Sequence, residues 1–168
     1  HSLRRRQRQM CIRDRAMSDY GATIVLPKLL VLLREQAPDT SLVIIQDSRL
    51  GMLEQIEQGK IDLAVGVFPT MPADICSDVL FEETFTCLLN RRSLPDNGVL
   101  DLDSYLARPH LLVSTDGNTQ GEVDNVLHAR GLQRRVAVNV PHWGTAPGMI
   151  TDTALSLTVA TRTLDNLS

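Results

Sequence analysis

The side chains able to do chemistry in this 168-residue chain are scattered rather than assembled. Cysteine supplies nucleophiles and metal ligands, yet Cys11, Cys76 and Cys87 are an odd number without metal-ligand spacing. Cys76 and Cys87 read as small buried hydrophobes of a reducing compartment. His110, His128 and His142 show no i, i+4 pairing and no neighbouring cysteine, which argues against zinc. There is no G-x-S-x-G elbow, no phosphate-binding G-x-x-x-x-G-K-[ST] loop and no G-x-G-x-x-G after the first strand. Nothing asks for an enzyme, and no cofactor or metal is expected.

Recognition chemistry is better represented. Ser18-Asp19-Tyr20-Gly21 and Asp47-Ser48-Arg49 each follow a strand and open a helix. A helix start offers unpaired N–H groups and favours an anion, so a carboxylate is a suitable guest. Ser18 has two readings, hydroxyl contact to a ligand and plain N-cap, and one residue can serve both. Tyr20 offers a further polar tip. Arg49 either pairs with an acidic ligand or is a solvated surface cation.

An alternating scaffold must carry these loops. A short strand ending near Met17 leads to a helix over 22–36, with Pro27 tolerable only near its start. Ser41 to Gln46 is a β-branched run suited to a strand buried on both faces. Met52, Leu53 and Ile56 line a helix closed by Gly59, and Ile61 to Val67 is a third strand. That is a pair of βαβ units with a parallel sheet. Val79 to Phe81 and Phe85 to Leu89 read as extended segments leaving the first lobe. Beyond them come a helical turn at Leu102 to Leu106, a strand at His110 to Ser114 and a helix at Val123 to Leu132. A strand at Val136 to Val140, a helical stretch over Pro141 to Asp152 and a strand at Leu155 to Ala160 complete the pattern. The boundaries expected are a leader at 1–15, a first lobe at 16–70, crossover strands at 71–92, a second lobe at 93–160 and a return toward the first lobe at 161–168.

Charge is unevenly spread. The first fifteen residues hold six arginines against one acid, a net +5, so the rest of a chain with net charge −3 carries −8. The leader has no apolar h-region, so it is not a secretory signal. Of three readings, a nucleic-acid-binding arm, a solvated tail and foreign sequence, a non-native leader is the one favoured, and it is set aside from fold reasoning. The longest apolar run, Ile24 to Leu33, contains Pro27 and Lys28 and is too short to span a bilayer. No membrane partner is expected, and a cytoplasmic location is.

In order along the chain, Ser18-Asp19-Tyr20-Gly21, Leu26-Pro27-Lys28-Leu29-Leu30, Ala37-Pro38 and Gln58-Gly59-Lys60-Ile61-Asp62-Leu63-Ala64-Val65-Gly66 resemble the effector-binding domain of LysR-type transcriptional regulators. Leu102-Asp103-Ser104-Tyr105-Leu106, Pro109 to Ser114, Gly131-Leu132, Arg135-Val136, Val140-Pro141-His142 and Thr151-Asp152 look like its branch responding to nitroaromatic and related aromatic acids. The resemblance implies an α/β, two-lobed type 2 periplasmic-binding-protein-like fold, truncated at the C-terminus, with a ligand in the cleft between lobes. In that frame Ser48 supplies a hydroxyl, and Phe68 either walls the cleft or is core. Ser114, Thr115, His142 and Trp143 belong to the second lobe's face of the cleft. Trp143 either stacks on a planar ring or packs in the core, and His142 either hydrogen-bonds the ligand or is structural.

The implied function is effector sensing: a small, aromatic, acid-like molecule shifts the population of lobe closures and so alters a distant DNA-binding domain. Homo-oligomerisation as dimer or tetramer belongs to the full-length protein, and DNA is contacted only through a helix-turn-helix that no segment here resembles. The alternative is a free-standing periplasmic-type solute-binding protein, which normally needs an export signal.

Overall fold

The computed structural model describes residues 12–115 and 117–166, and the chain divides into two units, His1–Phe81 and Glu82–Ser168. In the first unit β1 (Ile12–Met17), α1 (Asp19–Gln36), β2 (Ser41–Ile45), α2 (Arg49–Glu57) and β3 (Leu63–Val65) alternate. The sheet runs β2-β1-β3 with both pairings parallel, the product of two βαβ crossovers. Ala16, Met52 and Ile61 form its buried core, flanked by Ile45, Ile56, Ala64 and Phe68.

Several expectations change here. β1 begins inside the basic stretch set aside from the fold: Ile12 to Arg15 pair with Ser41 to Ile44. Ladder hydrogen bonds come from the backbone, so a charged sequence can occupy a strand whose neighbours supply the partners. Arg4, Arg5, Arg6, Arg8 and Cys11 lie outside the described residues. α1 starts at Asp19, which leaves Pro27 well inside it rather than near its start. The Thr23 carbonyl that loses its i+4 donor lies, like Pro27, on the exposed side, where water replaces the bond. β2 is a sheet edge rather than a strand buried on both faces, and Val43 on it is exposed. The third strand is limited to Leu63–Val65, although Ile61 still reaches the core.

The second unit contains β4 (Phe85–Leu89), a 3-10 turn (Arg91–Ser93), α3 (Leu102–Ala107), β5 (Pro109–Val113), α4 (Glu122–His128), β6 (Arg135–Val140), α5 (Ala146–Met149), β7 (Ser156–Ala160) and a final 3-10 turn (Thr161–Asn166). Its sheet order is β4-β7-β5-β6, with β4 antiparallel to β7 and the other pairings parallel. Leu111, Ala146, Ile150, Leu157 and Val159 are buried together. Leu112 and Leu127 are buried as well.

Val79 to Phe81 forms no strand, and Val79 and Leu80 are exposed: apolar character without a hydrogen-bonding neighbour does not make a ladder. The helix expected through Leu132 stops at His128, and a turn follows in which Gly131 has φ 70° and Leu132 N–H donates to Leu127 O at 2.9 Å. The helical stretch expected over 141–152 shrinks to α5. Cys76 is exposed, contrary to its reading as a buried hydrophobe, whereas Cys87 is half-buried and burial pushes its thiol pKa up.

Candidate functional site

Strand register decides which loops meet. Ala16 lies opposite Ile45 and Met17 opposite Val65, so the three strands of the first unit end nearly level at one edge. Ser18 follows β1 directly, Ser48 and Arg49 follow β2, and Gly66 to Phe68 follow β3. The carboxyl edge of a parallel sheet is where α/β proteins present ligand-binding loops.

Ser18 N-caps α1: its Oγ accepts from Gly21 N–H at 3.1 Å and its carbonyl from Ala22 N–H at 2.8 Å. A Cβ on buried Gly21 would stand 3.2 Å from Val65 O, so the glycine lets the helix start approach the end of β3. Tyr20 is half-buried in the first turn. Ser48 caps α2 in the same way, with Oγ accepting from Gly51 N–H at 3.1 Å. The start of α2 has an anion of its own, however: Asp47 accepts from Ser48 N–H at 2.7 Å and from Gln55 Nε2 at 2.5 Å. At the start of α1 the nearest acid is Asp19, within the first turn rather than before the cap. Arg49 is the exposed first residue of α2. Phe68 packs against the Ala16, Met52 and Ile61 core and over Gly66, which favours its core reading.

The second unit has a matching edge. Val113 pairs with Val140 and Ser114 N–H donates to Val140 O at 3.0 Å, so Ser114-Thr115 and Pro141-His142-Trp143 leave the sheet side by side. Thr115 and His142 are exposed, and Ser114 is half-buried. Trp143 is half-buried and packs on the cluster around Leu111 and Ala146, so part of the indole is core. The loop after Thr115 is tied down twice: Asn139 Nδ2 donates to Asn118 O at 3.0 Å, and Gly121 N–H donates to Asp124 Oδ2 at 2.8 Å.

Beneath that loop lies a polar cluster that sequence reasoning missed. Arg134 donates from Nε and Nη2 to Asp124 and from Nη1 to the Tyr105 hydroxyl at 2.8 Å. Tyr105 and Thr158 share a hydroxyl hydrogen bond at 2.8 Å, and Arg108 Nε donates to Ser156 Oγ at 2.9 Å. His110, fully buried, places Nε2 2.8 Å from Tyr105 O. A carbonyl only accepts, so Nε2 carries the proton. Burial holds the His110 pKa below its ordinary value, and the nearby guanidinium groups add to this. For Asp124 burial works upward, but the Arg134 and Gly121 hydrogen bonds outweigh it and hold the carboxyl below its usual range. These partners are far apart in sequence. The single local clue is Asp124 as the third residue of α4, a position from which a carboxylate reaches back to the helix start.

The order of elements, both edges and the residues on them can be compared with known proteins. The LysR substrate binding domain family matches residues 16–164, nearly the whole described chain. The chain belongs to that family. Among LysR relatives, the HTH-type transcriptional activator NahR of Pseudomonas putida is 28% identical over 150 residues, covering 89% of this chain and 50% of NahR. The HTH-type transcriptional regulator SyrM 1 of Sinorhizobium fredii is 35% identical over 148 residues, covering 88% of this chain and 43% of SyrM 1. The chain therefore spans about half the length of these curated LysR-type relatives or less. The regulatory domain of MexT, a transcriptional activator in Pseudomonas aeruginosa, superposes with a TM-score of 0.82 at 29% identity, over 94% of this chain and 76% of that one. The LysR-type fold is the type 2 periplasmic-binding-protein-like α/β architecture expected from the sequence. No described helix is long and apolar enough to cross a membrane. Among the described residues no group of three or more His, Cys, Asp or Glu side chains could hold a metal ion.

Proposed function

We propose that this LysR-family chain is the effector-sensing part of a transcriptional regulator and takes a small aromatic acid. The carrying observation is that each unit gathers its candidate side chains at the carboxyl edge of a parallel ladder. In the first unit the capped start of α1, Ser18 to Gly21, is suited to a carboxylate, with Tyr20 beside it. Ser48 and Arg49 contribute less to anion binding, because Asp47 already serves the start of α2. Phe68 backs this edge from the core. In the second unit Ser114, Thr115 and His142 offer hydrogen bonds, and the part of Trp143 outside the core offers a face for a ring.

The chain acts without catalysis. Effector binding favours one conformation over another by its difference in affinity, and a DNA-binding region carried elsewhere reads the change in a cytoplasmic homo-oligomer. The relatives NahR and SyrM 1, both HTH-type transcriptional regulators, favour this over a free-standing solute binder.

The test is calorimetric titration with benzoate and its hydroxylated and nitrated analogues, using Thr115→Val and His142→Ala. Both positions are exposed, so the folded chain tolerates the changes. Saturable binding weakened by either substitution supports the proposal; absence of binding by every aromatic acid, with cyclohexanecarboxylate equally inert, removes it.

A further inference from the structure

We propose that the second unit carries a separate oxyanion site at Arg108, in a pocket where β5 begins. The pocket has a volume of about 420 Å³; Ser93, Ser104 and Arg108 give it polar lining, and Pro95, Pro109 and Ala154 apolar lining. Pro109 opens β5 and Ser114 follows its other end, so the pocket lies about 16 Å along the strand from the Ser114 edge. The inference is independent of the effector reading.

The argument is one of charge matching. Two arginines run through the polar core of this unit, and among the described residues Asp124 is the one carboxylate of its buried polar side chains. Asp124 is wholly engaged by Arg134. Arg108 is half-buried and, among the described residues, is oriented by neutral hydroxyls alone, Nε on Ser156 at 2.9 Å and Nη2 on Ser93 at 2.5 Å. Among the described residues no carboxylate comes within 4.0 Å of it. Asp101 accepts from Ser104 N–H, and Asp152 faces Arg92 at 3.8 Å, so these neighbouring acids are directed elsewhere. Hydroxyls orient a guanidinium but do not neutralise it, and a partly desolvated cation gains most from an anion with matching geometry.

Nη1, which makes no hydrogen bond to a described residue, and the second Nη2 hydrogen form the kind of fork that takes a carboxylate or phosphate group. Arg91, in the turn that ends at Ser93, adds positive charge to this segment, whereas that of Arg92 is answered by Asp152. The apolar lining suits a small ligand with a carbon body as well as a bare oxyanion.

The test is a 1H–15N NMR titration of the 168-residue chain with sodium phosphate and, separately, sodium acetate, against sodium chloride at equal ionic strength. Saturating shifts at Arg108 Nε–H and at the Ser104 and Ala107 amides are expected with phosphate, acetate or both. Which salt saturates tells whether phosphate or carboxylate groups are preferred. Arg108→Gln should weaken the response roughly tenfold or more. Ala107 is exposed and also lines the pocket, so Ala107→Glu tethers a competing carboxylate there and should abolish the response while leaving the Arg108 hydroxyl contacts in place. If Arg108→Gln does not fold, Ala107→Glu decides. Equal shifts with chloride, non-saturating shifts, shifts centred on Ser114 to Gly121, or an unchanged response in Ala107→Glu would overturn the proposal.

Discussion

Arg134 holds Asp124 in a two-pronged ion pair, Nε to Oδ1 and Nη2 to Oδ2, each at 2.8 Å, with the two side chains only 2% and 7% exposed. Because Asp124 also accepts from Gly121 N–H, the pair joins the residue that begins β6's approach to the helix start that follows the Ser114 loop. A buried pair is weak evidence of net stabilisation, but removing one partner leaves the other charged and unmatched.

Asp124→Asn and Arg134→Met should therefore each destabilise the second unit by about 3–5 kcal/mol in urea unfolding. The double substitution should cost much less than the sum. Additive losses would show that the two side chains do not act as a pair.

Stability should fall in acid in two stages. His110 has its folded pKa depressed, so folding favours the neutral ring. Its contribution is complete above the unfolded value of about 6.5 and is lost as pH drops through the lower folded value. Asp124 is depressed too, so its contribution is complete above about 3.9 and disappears at still lower pH. Urea midpoints measured from pH 8 downward should show the first decline, and His110→Gln should flatten it.

Gly51 is required by its neighbour rather than by its own backbone. A Cβ there would collide with the Asp47 carboxylate, which holds Ser48 N–H and Gln55. Gly51→Ala should cost about 1–3 kcal/mol, from the displaced hydrogen bonds. On an Asp47→Ala background the same change should be close to neutral. An equal loss on both backgrounds would rule out the collision as the cause.

Core and surface leucines should separate cleanly. Leu157 is 0% exposed in the second unit's cluster, and Leu157→Ala should cost about 2–5 kcal/mol. Leu50 is 73% exposed, and Leu50→Ala should change stability by no more than about 0.5 kcal/mol. Thermal or urea unfolding of the pair checks both.

Ser18→Ala removes a helix cap and should cost about 1 kcal/mol by itself. If Ser18 also touches an effector carboxylate, affinity should fall by more than this stability loss accounts for, whereas Ser18→Asp should keep the cap yet repel the acid. Calorimetry beside urea unfolding separates the two roles.

The βαβ alternation, the strands at 41–45, 109–113, 135–140 and 156–160, and the family resemblance were legible because they rest on local patterns: apolar runs, caps and glycines at turns. Ser18 and Ser48 were recognised as helix starts for the same reason. The edges of elements were less legible. α1 includes Pro27 because the affected carbonyl faces water, and β1 reaches back to Ile12 because β2 supplies its backbone partners there.

By itself the amino-acid sequence determined an acidic α/β body of LysR type with polar residues where strands give way to helices. Only the tertiary structure decided which of those residues share an edge, because strand register and pairing order depend on contacts between distant segments. It also decided that Asp47 answers the start of α2, that Phe68 and Trp143, both partly buried, pack against cores, and that Asp124 satisfies Arg134 while Arg108 meets only hydroxyls among the described residues. Charge pairing between residues tens of positions apart leaves no periodic trace in a single sequence; it exists only once the chain has folded.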